Sequence, residues 1–206
     1  NGVPVSALPS FLTPVVLKVI DLAFPQFIAG SNVLATSLEN IGAVFHPALT
    51  LLNAGWIEST GGDFEYYLQG ISPSVARVLQ AIDDERLALA RALGIRTVSA
   101  REWLYLTYDS AGDDLCTAIR STIAYAGIKA PRSIDHRYIW EDVPMSLVPM
   151  ASIAANYGIE TPAINLIIDL ANLMLGQDYR ANGRTVRSLG IEGMSVEELH
   201  RLVTEG

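Results

Sequence analysis

The sequence predicts a mostly α-helical domain of about seven or eight helices, with a short α/β piece at its front. Three observations carry this reading. Apolar residues recur at three- and four-residue spacing through most of the chain. Capping residues and prolines open several of these runs, and glycines close them. The first thirty residues instead place Val3 and Val5 among small residues, ahead of a proline-bounded apolar stretch.

In chain order, Val3–Val5 reads as a strand, residues 8–24 as an apolar helix, and Phe27-Ile28 as a second short strand between Pro25 and Gly30. This is the end of a strand–helix unit, residues 1–30, whose βαβ repeat would need more chain upstream. Residues 31–206 form the helical body. Asn32–Phe45 has helical spacing at Val33, Leu34, Leu38, Ile41, Val44 and Phe45. Ser72-Pro73 caps and starts a run through Leu93, which Gly94 stops. Ser99 opens a short helix through Trp103 and Tyr105. Asp113 or Asp114 opens the next, which ends near Gly127. Thr161-Pro162 opens a helix through Leu175, followed by Gly176. Its interior is apolar nearly all round, which predicts a central buried helix. Ser195 and Glu198 form a capping box for Val196–Val203.

Composition narrows the function. Lys and Arg total 14 against 22 Asp and Glu, a net charge of −8 in 206 residues. Nothing there neutralises phosphates, so general nucleic-acid binding is not expected. The uncharged runs 1–17, 22–38 and 143–159 are each interrupted by proline, so no transmembrane segment is expected, and no basic region precedes an apolar stretch as in a signal peptide. Cys116 is the single cysteine, which suits a reducing, cytoplasmic setting and a small core residue. Glycine pairs such as Gly61-Gly62 lack a GxGxxG context, and there is no P-loop or GxSxG elbow. His46, His136 and His200 show no metal-ligand spacing, so no metal site is expected. Asp83-Asp84-Glu85-Arg86 reads as a solvated helix face, and Trp103, Tyr105 and Tyr108 as core or pocket wall.

Two segments carry groups suited to chemistry. His46 precedes Pro47, so the helix is expected to break or kink at His46, with Pro47 starting the next one. A histidine at such a place titrates near neutral pH and serves as acid or base. The plainer alternative is a core histidine held by a carbonyl. In the second segment, Arg132–Pro144 (RSIDHRYIWEDVP), Tyr138-Ile139-Trp140 reads as an extended stretch, with Arg137, Ile139 and Glu141 on one side and Asp142 on the side of Tyr138 and Trp140. Asp142 either caps the helix after Pro144 or orients a histidine. Arg137 either clamps a carboxylate with its planar fork or pairs with Asp135 or Glu141.

Several stretches in order resemble one family. NVLATSLENIGAVFHPALTLLNAG (Asn32–Gly55), EYYLQGISPSVARVLQAIDDER (Glu65–Arg86), HRYIWEDVPMSLVPMASIA (His136–Ala154) and GRTVRSLGIEGMS (Gly183–Ser195) resemble the helical domain of the octopine/nopaline-type opine dehydrogenases. The resemblance runs from Asn32 to nearly the end of the chain.

This resemblance implies a multi-helical C-terminal domain like that of 6-phosphogluconate dehydrogenase-type enzymes, preceded by a Rossmann domain that binds NAD(H) or NADP(H). The implied reaction joins an amino acid's amino group to a 2-oxo acid and reduces the imine to a secondary amine. His46 matches the family's acid/base, Asp142 its partner, and Arg137 the residue proposed to bind a substrate carboxylate. Asn40, within the same matched stretch, and Trp103 are expected at the substrate. The cofactor-binding residues are expected upstream, since no fingerprint follows a strand in a chain that begins at Asn1. The choice between NADH and NADPH is expected to rest there too. A fragment without that domain is expected to lack turnover. Two alternatives stand beside this. One is another two-domain 2-oxo or hydroxy acid dehydrogenase of the same superfamily. Those relatives generally use a catalytic lysine, and only Lys18 and Lys129 are present. The other is a non-catalytic helical dimerisation module. Members of such families occur as monomers and dimers, so a homodimer stays open.

Overall fold

The computed structural model describes residues 2–206. Strand β1 (Val3–Val5) pairs in parallel with β2 (Phe27–Ala29), in register Val3 to Phe27 and Val5 to Ala29. Helix α1 (Thr13–Ile20) crosses between them. It is shorter than the apolar pattern of residues 8–24, because a separate 3₁₀ turn occupies Ser10–Leu12. The strand–helix–strand reading of this piece is what forms.

The body contains α2 (Val33–Leu38), α3 (Ile41–Leu52), α4 (Ala54–Thr60), α5 (Pro73–Ala92), α6 (Ala100–Tyr108) and α7 (Leu115–Ser121). One-turn α8 (Arg137–Trp140) follows. A five-residue π turn at Val143–Leu147 then runs into α9 (Val148–Asn156), α10 (Pro162–Leu175), α11 (Tyr179–Asn182) and α12 (Val196–Glu205). That is eleven helices in the body among the described residues, twelve with α1, and more than seven or eight. The stretch 32–55 divides into three, and α8 and α11 are single turns. The capping signals at Ser72, Ser99, Asp114 and Ser195 form as expected, each side chain accepting a backbone N–H of its helix.

Four expectations are corrected. The helix does not break at His46: α3 passes through Pro47, and the break falls at Asn40 (φ −71°, ψ 86°). Pro47 cannot donate to the Ala43 carbonyl, but the flanks of α3 are buried from Ala43 to Leu51 except at His46. Packing on α5, α8 and α10 holds the helix across that gap. The stretch Tyr138-Ile139-Trp140 is not extended but helical, in α8. Its aromatic and β-branched residues favour strand only where a sheet receives them; here Ile139 is buried within α8. Helix α10 is not buried all round: Ile164, Ile167, Ile168 and Ala171 face the core, whereas Leu166 is 61% and Leu173 81% exposed.

The fourth correction concerns residues 83–86, which are not a solvated face. Asp83 and Arg86 are fully buried and paired at 2.6 Å. Arg86 also donates to the carbonyls of Leu38 and Val98 and to Thr97. Asp83 Oδ2 accepts the Ala100 N–H at 2.8 Å. Glu85 reaches across to cap α10, accepting from Ala163 and Ile164 at 2.7 and 2.8 Å. Only Asp84 stays outside, accepting from Gln80. Three of the four charges are consumed by backbone groups that packing would otherwise leave unsatisfied.

Candidate functional site

The site is assembled around His46, the one half-exposed residue in the buried half of α3. Its Nδ1 lies 2.8 Å from Asp142 Oδ2 and its Nε2 3.0 Å from the Tyr67 hydroxyl. Tyr138 stacks on the ring at 4.1 Å with the planes 19° apart. Tyr138 and Asp142 come from one helical stretch at a spacing of four, so one face of it supplies both contacts. The Asp142 side chain makes no capping bond to the π turn that follows; it is committed to the histidine.

The hydrogen bonds fix the ring's tautomer. A carboxylate only accepts, so Nδ1 carries the proton toward Asp142. In the neutral ring Nε2 therefore accepts from the Tyr67 hydroxyl. Burial, chiefly, pushes the Tyr67 phenol well above its usual range, with smaller contributions from Tyr138 and Tyr125. It stays protonated and remains a donor. When the ring gains a second proton, Nε2–H donates to the same oxygen. Below the ring, the Tyr66 hydroxyl donates to the His46 carbonyl at 3.0 Å and meets Thr50 Oγ1 at 2.7 Å. The imidazole is thus held on both nitrogens, one face and its own backbone, while 23% of its side chain stays exposed. His136 stands edge-on to Tyr138. Burial first, then the charges of Arg137 and His46, hold its pKa below the usual histidine range.

The remaining expected residues fall around this pair in different ways. Asn40, at the break before α3, donates to Ser146 Oγ of the π turn at 3.1 Å. Asn40 Oδ1 and His46 Cε1 both lie 3.0 Å from the point where a side chain on Gly42 would begin. Arg137 is exposed, and its fork is engaged with Glu141 Oε2 at 3.1 and 2.8 Å, one of the two ion pairs its sequence context offered. Trp103 reaches the site only through other rings: it meets Tyr108, Tyr108 meets Tyr125, and Tyr125 stacks on Tyr67 at 4.1 Å. His200 lies elsewhere, its Nε2 at 2.6 Å from the Leu93 carbonyl. Sequence reasoning missed Tyr66, Tyr67 and Tyr138 as contacts of His46. The four-residue interval from Tyr138 to Asp142 was a usable signal; no local spacing links Tyr67 to a histidine 21 residues earlier.

Gly42 carries a separable prediction. A methyl group there would stand 3.0 to 3.1 Å from Asn40 Oδ1 and from His46 Cε1 and Nδ1. Alanine is favoured over glycine in a helix by about 1 kcal/mol. Gly42→Ala is therefore expected to leave the melting temperature unchanged or raised while displacing the imidazole from Asp142. Thermal melts and the His46 ring resonances of the same sample check this; a lower melting temperature with unshifted resonances overturns it.

Comparison with known proteins places these features. The family model described as "NAD/NADP octopine/nopaline dehydrogenase, alpha-helical domain" matches residues 29–175. The chain is 37% identical over 198 residues to an opine dehydrogenase of Arthrobacter sp. (strain 1C), covering 96% of this chain and 55% of that protein. It is 28% identical over 182 residues to protein ocs of Agrobacterium tumefaciens (strain Ach5), covering 88% of this chain and 51% of that protein. A solved octopine dehydrogenase with NADH and L-arginine superposes with a TM-score of 0.71 at 22% identity, over 93% of this chain and 54% of that one. The chain spans about half the length of the curated relatives it matches.

Proposed function

The chain belongs to the octopine/nopaline dehydrogenase family, and from that premise we propose that it is the catalytic and substrate-binding unit of a cytoplasmic, NAD(P)H-dependent opine dehydrogenase. The reaction condenses an amino acid with a 2-oxo acid, loses water, and reduces the resulting imine to a secondary amine dicarboxylate. The observation that carries this is the His46–Asp142 pair at 2.8 Å, with Nε2 turned to the Tyr67 hydroxyl.

Amine attack on the ketone builds negative charge on oxygen, which must then leave as water. The imidazolium of His46 donates a proton from Nε2 to that oxygen, and Asp142 stabilises the charged ring and holds its tautomer. Tyr67, which shares Nε2, supplies a protonated hydroxyl beside the reacting oxygen. Arg137 takes the carboxylate of the 2-oxo acid by exchanging Glu141 for the substrate, a positioning effect. Hydride comes from the dinucleotide.

The described residues offer no cradle for that dinucleotide's phosphates: β1 leads into α1 through Pro9 and a 3₁₀ turn, not through a glycine-rich loop. Docking of a nucleotide-binding domain on the α/β piece is supported by its exposed apolar side chains. Leu8, Phe11, Val15, Val19, Leu22 and Ile28 are each more than half exposed, a patch of the kind that marks an interface.

The test uses the full-length enzyme, nucleotide-binding domain included. NADH and NADPH oxidation is followed with pyruvate and a panel of amino acids. Oxidation that requires both partners, and yields a secondary amine, is expected. Oxidation with the keto acid alone would make the enzyme a simple keto-acid reductase and overturn the reading.

A further inference from the structure

Both hydrogen bonds of the His46 imidazole leave it in the plane of the ring, to Asp142 Oδ2 at 2.8 Å from Nδ1 and to the Tyr67 hydroxyl at 3.0 Å from Nε2. Only the first survives proton transfer. One N–H makes one strong, near-linear bond, so Nε2 gives up Tyr67 when it turns its proton to a substrate oxygen. A single bond at Nδ1 then remains, and a ring held at one atom can swing and tilt about it.

Tyr138 supplies a contact that does not depend on Nε2. Its ring lies 4.1 Å from the imidazole and 19° from parallel. Among the described residues it is the one ring stacked on His46; the Tyr67 ring is tilted by 49°, with the centroids 6.5 Å apart. Tyr138 is itself held on several sides. It stacks on fully buried Tyr66 at 5.3 Å, and His136 stands edge-on to it at 4.5 Å. Its backbone N–H donates to Nδ1 of His136, the N-cap of α8, at 3.4 Å. The next residue, Ile139, is fully buried. Asp142 follows four positions later on the same helical face, so the ring contact and the carboxylate reach the imidazole as one piece.

We propose that Tyr138 is a positioning residue for the reaction: its ring keeps the His46 imidazole aimed while Nε2 has left Tyr67 for the substrate, without itself touching the substrate. This rests on the function proposed above. A stacked aromatic face resists tilting because a tilt loses contact across the whole ring. An aliphatic side chain in its place offers fewer atoms to the imidazole and several rotamers. The face contact comes from the tyrosine ring and not from its hydroxyl, so phenylalanine can supply it and leucine cannot.

The test compares the full-length enzyme with Tyr138→Leu and Tyr138→Phe, using pyruvate and the amino acid that the wild type turns over fastest. Tyr138→Leu is expected to lower kcat about 10- to 100-fold, the scale of a displaced catalytic group, with the KM of neither substrate changed. Tyr138→Phe restores the ring and is expected to bring kcat back to within about twofold of wild type. Tyr138→Met, whose flexible side chain fills irregular space, takes the place of a leucine variant that does not fold. Nitrogen–proton correlation spectra of the histidine rings give a reading that needs no turnover, with the His46 signals assigned by their loss in His46→Gln. Those signals are expected to shift and broaden in Tyr138→Leu and to hold in Tyr138→Phe. A folded Tyr138→Leu with wild-type kcat overturns the proposal. So does one that raises a KM at unchanged kcat, which makes Tyr138 a substrate contact. A Tyr138→Phe as slow as Tyr138→Leu assigns the effect to the hydroxyl and overturns it too. A wild type that forms no secondary amine, yet whose His46 signals respond to Tyr138→Leu and not to Tyr138→Phe, keeps the positioning and discards the reaction.

Discussion

Replacing His46 with glutamine in the full-length enzyme is expected to lower kcat by about 10²- to 10⁴-fold, the range for losing a positioned acid–base group. Glutamine is the informative choice because its amide still donates to Asp142, so the partly buried carboxylate keeps a partner. The thermal midpoint should therefore hold while the rate collapses. Asp142→Asn should act in the same direction by a different route. Its amide can present N–H to Nδ1 and impose the wrong tautomer on the ring, leaving Nε2 protonated in the resting state. Steady-state rates of cofactor oxidation, read beside melts of the same samples, decide the matter. Turnover that survives at near the wild-type rate in a folded His46→Gln removes the histidine from the chemistry.

The largest expected effect on stability lies at Arg86. Arg86→Met removes the partner of fully buried Asp83 and strips the donors from the buried Leu38 carbonyl and the half-buried Val98 carbonyl. Burial already pushes the Asp83 carboxyl up, and the Arg86 guanidinium is the main influence drawing it back down. Breaking such a pair from one side costs about 3–5 kcal/mol. For a chain of this size that is about 6–20 °C in melting temperature, measurable by differential scanning calorimetry. Asp83→Leu combined with Arg86→Met should recover part of the loss, because the isolated buried charge disappears with its partner. A single variant that melts like wild type shows that water reaches Asp83 and refutes the buried-pair account.

The two residues were not equally legible in the sequence. His46 and Asp142 stand in motifs, and the resemblance carried both to positions that the fold brings within hydrogen-bond reach. The helix starts were legible wherever a cap and a proline coincide, as at Ser72-Pro73, because capping is chemistry between neighbours. What failed depends on distant chain. Nothing local shows that four charges at 83–86 will meet Leu38, Val98, Ala100 and the start of α10. Pro47 reads as a break because the packing that carries α3 past it comes from α5, α8 and α10. Tyr138 reads as strand because its partner is an imidazole 92 positions away. Arg137 keeps both its meanings: the ion pair with Glu141 forms, and whether a substrate displaces it is a property of the complex.

The tie at residues 83–86 also bears on how the molecule comes apart. One turn of α5 holds the end of α2 through Leu38, the start of α6 through Ala100, and the start of α10 through Ala163 and Ile164. Fraying at the ends of α2 or α6 would take a partner from the fully buried Arg86 or Asp83, and fraying of α10 would take two from half-buried Glu85. The three helix ends are therefore coupled through one turn of α5, and opening any of them breaks its bonds to that turn. Helices α5 and α10, which pack on the helix that carries His46, both belong to that coupled set.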